Sequence, residues 1–140
     1  MPFGNTIQYL SNNKIDKPLW DECIAKANNG LIYAYSFYLD TMADHWDGLV
    51  VNNYEAVMPL PWRKKYGISY LYHPFLTAQL GLFGNNINAQ LLEDCLDKIP
   101  SKFKLWEFSL NHSNTFLSER FPVYQRRNYV LDLNPSYEIL

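Results

Sequence analysis

Trp46-Asp-Gly-Leu-Val-Val-Asn-Asn-Tyr-Glu-Ala-Val-Met-Pro-Leu-Pro-Trp62 reads as a β-hairpin, and the rest of the chain is laid around it. Two apolar runs flank Asn52-Asn53. Asparagine tolerates the positive φ that primed two-residue hairpin turns require. With that turn, Val51 faces Tyr54, Val50 faces Glu55 and Leu49 faces Ala56. Period-2 geometry then puts Leu49, Val51, Tyr54, Ala56, Met58 and Leu60 on one face, which needs a helix or a second sheet to cover it. Pro59 and Pro61 are expected to close the hairpin, because proline donates nothing to a ladder.

Upstream, Thr6-Ile-Gln-Tyr-Leu10 reads as a short strand. Asp16 is placed to cap a helix with Pro18 in its first turn, and Leu19, Trp20, Cys23, Ile24 and Ala27 form its apolar stripe. Gly30 supplies the stop. Leu31-Ile-Tyr-Ala-Tyr35 reads as a strand or an extended connection, and Ser36 opens a short helix reaching Ala43. Downstream, Trp62-Arg-Lys-Lys-Tyr-Gly67 is a basic turn and Ile68-Ser-Tyr-Leu-Tyr72 a strand. The segment 75–84 is apolar and broken by two glycines. A helix follows from about Asn88 to Lys98, with Leu91, Leu92, Cys95, Leu96 and Ile99 on one side. Pro100 stops it. Residues 102–110 alternate as a strand buried on both sides. A helical turn over 111–119 and a long strand over 121–133 complete the order. It predicts an α+β fold: a mixed, mostly antiparallel sheet with flanking helices and one parallel crossover.

At 140 residues, with 48% apolar and 16% aromatic content, the chain is expected to form one packed domain. A formal net charge of -2 gives no overall attraction for nucleic acid. Cys23 and Cys95 are too few and too far apart for a disulfide framework or a metal site. They read as buried free thiols, which suits a reducing compartment. The N-terminus lacks the pattern of a signal peptide, and no window reaches the roughly 18 apolar residues of a membrane span. The expectation is a cytoplasmic protein with no membrane partner. The three histidines and two cysteines have no metal-ligand spacing, so no metal is expected.

This succession resembles the acyl-CoA N-acyltransferase (GNAT-like) fold. More narrowly, Trp46-Asp-Gly-Leu-Val, Tyr54-Glu-Ala-Val-Met-Pro-Leu-Pro-Trp-Arg-Lys-Lys and Gln79-Leu-Gly-Leu-Phe are similar to an uncharacterised bacterial family related to Fem-type aminoacyl transferases, whose members usually carry two such domains in tandem. The resemblance implies a GNAT-like domain over 1–133, with 134–140 beginning a linker or a second domain. It implies an acyl or aminoacyl transferase, in which an acceptor amine attacks an activated acyl group. The donor would be an acyl-CoA or another small molecule, or an aminoacyl-tRNA. In the GNAT family a glycine loop at a helix N-terminus holds the coenzyme A pyrophosphate. The positions that match are Gln79, Gly81, Gly84, Asn85 and Asn86, where free N–H groups and the helix dipole would suit an anion. The alternative is a non-catalytic GNAT-like module, with a cofactor loop that departs from the family pattern, packed against a sister domain or a second copy in a homodimer.

Tyr72, His73 and Glu107 are candidates for chemistry. His73, beside Tyr72 at a strand end, could act as a general base. Glu107, in an apolar strand, could carry a raised pKa and act in catalysis. Against this, such a histidine is more often a packed structural residue, and such a glutamate is more often paired or at an exposed edge. His45 and His112 lie near predicted helix ends. Arg63-Lys64-Lys65 and Arg126-Arg127 could touch phosphate, although solvated basic turns are commoner.

Overall fold

The structure, a computed structural model, describes residues 5–114. The strand expected over 121–133, the tail 134–140, Arg126-Arg127 and most of the helical turn over 111–119 lie outside the described residues.

The fold is α+β. Its strands are β1 (Ile7–Leu10), β2 (His45–Val51), β3 (Ala56–Lys65), β4 (Ile68–Leu71), β5 (Phe83–Gly84) and β6 (Phe103–Trp106). Its helices are α1 (Lys17–Lys26), α2 (Ser36–Met42) and α3 (Ala89–Asp97). The strand order is β1-β2-β3-β4-β6, with β5 also pairing β3. All pairs are antiparallel except β4 with β6, which the chain joins through α3 as the expected parallel crossover.

The central hairpin forms, but with a longer loop. Val51 pairs with Ala56 and Leu49 with Met58, so residues 52–55 make the turn. Asn52 and Tyr54 take the left-handed region at φ 52° and 61°. The Asn52 amide explains the extra length. It accepts from Thr6 N–H at 3.0 Å and donates to Asn5 and Glu55, so it ties the loop to the start of β1. A register shift of two keeps Leu49, Val51, Ala56, Met58 and Leu60 on the face assigned to them, because the side-chain period is two. Leu49, Val51, Ala56, Met58 and Leu60 all pack in one cluster with Leu91, Leu92, Cys95, Leu96 and Ile99 from α3 and the turn after it. Fully burying a side chain of this size contributes about 1.5–3 kcal/mol. Tyr54 is the exception. Its hydroxyl accepts from Asp16 N–H at 2.8 Å, which draws it to the opposite face.

Pro59 and Pro61 do not close the hairpin; β3 runs through both. The Pro61 carbonyl accepts from Tyr72 N–H at 3.1 Å, so the main-chain polar groups of Pro61 point away from β2. Pro59, two residues earlier, points the same way. It faces the gap between β5, which pairs at Ala56 and Val57, and β4, which pairs from Trp62 onward. Neither missing N–H interrupts the β2–β3 ladder. The basic turn is therefore mostly strand. The tight turn is Tyr66-Gly67 alone, with φ 53° and 77°.

The other face of the sheet is covered by α1 and α2. Asp16 caps α1 as expected, accepting from Leu19 N–H at 3.1 Å. Trp20, Ile24, Leu39, Trp46, Val50, Val57 and Phe83 fill this second cluster. Trp20 donates to the Ala34 carbonyl at 2.7 Å and meets Trp46 edge-on at 5.1 Å. It lies so close to β2 that a Cβ on Gly48 would sit 2.5 Å from its ring. Leu19, expected in the stripe, is instead exposed, and 32–34 form a 3-10 turn in place of a strand.

β6 departs from simple alternation. Ser69 pairs with Phe103 and Leu71 with Trp106, so β6 advances three residues where β4 advances two. The extra residue brings Phe103 and Trp106 to the same cluster and leaves Lys104 and Leu105 outside, Leu105 61% exposed. The strand is thus not buried on both sides.

Both cysteines are buried free thiols in helices. Burial pushes Cys23 up to about 11 and Cys95, also near the Asp94 charge, up to about 12. With the folded values raised above the ordinary 9.0, this contribution to stability is complete below pH 9.0 and is lost as pH rises toward about 12. In the native protein at pH near 8, iodoacetamide should label both thiols only as fast as the chain opens. In urea labelling should be immediate. Mass spectrometry of timed quenches reads the difference; prompt native labelling would contradict the burial.

Candidate functional site

The glycine-bearing segment between β4 and α3 is the natural place to build a site, and three asparagines occupy it. Asn29, Asn111 and Asn114 are buried, and all three side-chain amides donate to the Leu82 carbonyl at 3.0, 2.8 and 3.1 Å. Asn114 Oδ1 accepts from Leu82 N–H at 2.8 Å, and Asn29 Oδ1 accepts from Gly84 N–H at 3.1 Å. Asn29 also donates to Asn111 Oδ1 at 3.2 Å. One turn earlier, Leu80 N–H donates to the Ser109 carbonyl at 2.8 Å, and Gln79 Oε1 accepts from His112 N–H at 2.8 Å. The chain after β6 therefore lies along 79–82, and Leu80 and Leu110 form a parallel bridge.

This arrangement engages three of the N–H groups along the loop. The N–H groups of Leu80, Leu82 and Gly84 already have protein acceptors. Gly81 is buried at φ 95°, and a Cβ there would meet Asn114 Oδ1 at 2.3 Å. Gly84 belongs to β5, where a Cβ would meet Ala56 at 2.8 Å. Asn85 is exposed, but its amide bridges the end of α1, donating to the Lys26 carbonyl and accepting from Asn28 N–H. Asn86 is exposed. The helix that follows is capped by its own residue, with Asn88 Oδ1 accepting from Leu91 N–H at 2.8 Å. Of the five residues matched to a cofactor loop, Gln79 and Gly81 thus lie where the chain packs against 109–114, Gly84 in a strand, and Asn85 and Asn86 in an exposed bend that Asn85 ties to the end of α1.

The candidate catalytic residues adjoin one another at the end of β4. Tyr72 is buried, and its hydroxyl accepts from Asp44 N–H at 2.8 Å. The Arg63 guanidinium lies 4.1 Å above its ring and donates to Asp44 at 2.8 Å. His73 Nδ1 accepts from Ser109 N–H at 3.5 Å. Glu107 N–H donates to the Leu71 carbonyl at 3.1 Å, which brings it level with this strand end. Its side chain, though, is exposed, so the apolar setting expected for it is absent. The bulge in β6 is the reason.

Elsewhere, a cleft of about 200 Å³ opens at the start of β2, beside Asp40, Asp44, His45, Asp47 and Trp62. Its carboxylates are engaged. Asp40 accepts from Lys17 and from Trp46 Nε1, Asp44 from Arg63, and Asp47 from Asn12 N–H and the Tyr9 hydroxyl. Burial first, then the bond to Asp47 and its charge, push the Tyr9 phenol upward. His45 stacks on Trp62 at 4.3 Å. Among the described residues, no group of three or more His, Cys, Asp and Glu side chains could hold a metal ion. No helix there is long and apolar enough to cross a membrane.

The three clamping asparagines were not singled out by sequence. Asn29 read as part of a helix stop and Asn111 as the start of a helical turn. No local pattern marks partners 82 residues apart, as Asn29 and Asn111 are. Compared with protein-family models, with curated proteins and with solved structures, the chain matches none of them.

Proposed function

We propose that this chain is a GNAT-like module that works by packing against a sister domain or a second copy of itself, without catalysis of its own. One observation carries the reading. The N–H groups of Leu80, Leu82 and Gly84 are bonded to Ser109, Asn114 and Asn29, where a phosphate cradle would need them unoccupied. A second surface feature fits the same use. Phe37, Phe75 and Leu76 are 58%, 76% and 70% exposed, and Tyr38 joins α2 to the loop by donating to the Leu76 carbonyl. Leu76 takes a left-handed φ of 59°. For a leucine that conformation costs about 1–2 kcal/mol, and exposed apolar side chains gathered in one place mark interaction surfaces. The buried free thiols suit a reducing compartment, and we place the protein in the cytoplasm.

A transferase reading draws on the nearness of Tyr72, His73 and Glu107 at the end of β4. On it, an acceptor amine attacks an acyl-CoA or an aminoacyl-tRNA directly, with positioning as the main contribution of the protein. Isothermal titration separates the two readings. The packing module gives no saturable heat with acetyl-CoA or with charged tRNA. It elutes as a dimer, or as a complex with a sister domain when that is supplied, in size-exclusion chromatography with light scattering. Saturable acyl-CoA binding, together with transfer abolished by His73→Ala, would overturn the packing reading.

A further inference from the structure

Charge is distributed unevenly over this sheet. The β3–β4 tip and β6, residues 62–71 and 102–106, carry five of the chain's 12 Lys and Arg and none of its 14 Asp and Glu. The pairing brings these residues together. Lys64 lies opposite Ser69, and Ser69 opposite Phe103, so Lys102 and Lys104 flank the third strand of one row. Across two strand spacings that row spans roughly 10 Å. Arg63 is held by Asp44, but Lys64, Lys65, Lys102 and Lys104 have no carboxylate within ion-pair distance among the described residues. Lys102 lies over the rings of Tyr9, Trp62 and Phe103, and Lys65 over Tyr66.

The same end of the sheet is also apolar. Tyr66, at the tip of the tight turn, is 91% exposed, and Ile68 and Leu105 are 51% and 61% exposed. We infer that this sheet end docks on the surface of an anionic lipid bilayer. Lysines with no carboxylate partner are drawn to the headgroup charge, and tyrosine is suited to the headgroup level. Ile68 and Leu105 decide between polyanions. Aliphatic side chains gain by entering the boundary between headgroups and acyl chains. They have no counterpart on a nucleic-acid backbone, where phosphate contacts and stacking on aromatic rings supply the binding. That no helix among the described residues is long and apolar enough to span a bilayer bears on crossing it and leaves contact with its surface open.

Co-sedimentation with vesicles tests this. The full chain should pellet with phosphatidylglycerol-rich vesicles and stay in solution with pure phosphatidylcholine. Salt should weaken the binding. Lys64→Gln and Lys65→Gln should each lower it by about fivefold. Ile68→Ser should lower it with the charge unchanged, while Lys14→Gln, outside the patch, should not alter it. Circular dichroism confirms that each variant is folded. Equal binding to neutral vesicles, absence of binding to both, or indifference to Ile68→Ser would overturn the inference. So would tighter binding to polyuridylate RNA, read by fluorescence anisotropy, than to the vesicles.

Discussion

Asn29→Asp should remove on the order of 3–5 kcal/mol of folding stability, a large share of what a domain of this size has. Asn29 is 2% exposed. Its amide nitrogen donates to the Leu82 carbonyl and to Asn111 Oδ1, while its oxygen accepts from Gly84 N–H. The substitution keeps the shape and the last of these bonds. It replaces the donor with a carboxylate oxygen facing two acceptors, in a place water does not reach. The introduced acid should titrate well above its usual range, since burial disfavours the charged form. Its raised folded pKa fixes the sign: the deficit should be largest near neutral pH and should shrink as pH falls and the acid is protonated. A protonated acid can again donate to Leu82. Urea denaturation at neutral and mildly acidic pH reads both effects. Asn53→Asp, the same change at an exposed loop position, should stay within about 0.5 kcal/mol of the parent. A midpoint for Asn29→Asp equal to that of Asn53→Asp would contradict the clamp.

Gly81→Ala should cost on the order of 2–6 kcal/mol, from two sources. A φ of 95° is one that L side chains rarely adopt, and holding alanine there costs about 1–3 kcal/mol. The added Cβ would also lie 2.3 Å from Asn114 Oδ1. Asn114 would have to leave Leu82 N–H, and a buried donor without an acceptor costs a further 1–3 kcal/mol or so. Gly67→Ala provides the comparison. Its φ of 77° is also left-handed, but a Cβ there meets nothing within 4 Å. The excess loss in Gly81→Ala over Gly67→Ala therefore measures the contacts with Asn114 and, at 3.1 Å, with Leu110. No excess would mean that the segment carrying Leu110 and Asn114 does not close over the loop.

The local signals that survive in the fold share one property: each depends on residues within a turn or two of one another. Asp16 caps α1, Asn88 caps α3, and the stripe from Leu91 to Ile99 is buried as its spacing requires. The facing pattern of the hairpin survived a wrong turn length because a shift of two residues cannot change sides. What the sequence concealed is long-range. Nothing near Asn52 announces that its amide will be held by Asn5 and Thr6, and nothing near Tyr54 announces Asp16. Pro59 and Pro61 read as strand breakers because the gap beside them depends on where β4 and β5 attach. The bulge in β6, which put Glu107 outside, depends on its register with β4. The candidate site was legible as a glycine-bearing connection between a strand and a helix. That Asn29, Asn111 and Asn114 fill it is a tertiary fact, assembled from two segments far apart in the chain.

Amide hydrogen exchange at Leu82 and Gly84, followed by nuclear magnetic resonance with and without acetyl-CoA, tests the sealed loop most directly. The two amides should exchange as slowly as those in the β2–β3 ladder, and their resonances should not move when acetyl-CoA is added. Exchange within seconds, or a saturable shift of either resonance on addition, would mean that the loop is open to a ligand and that the asparagine clamp does not hold it.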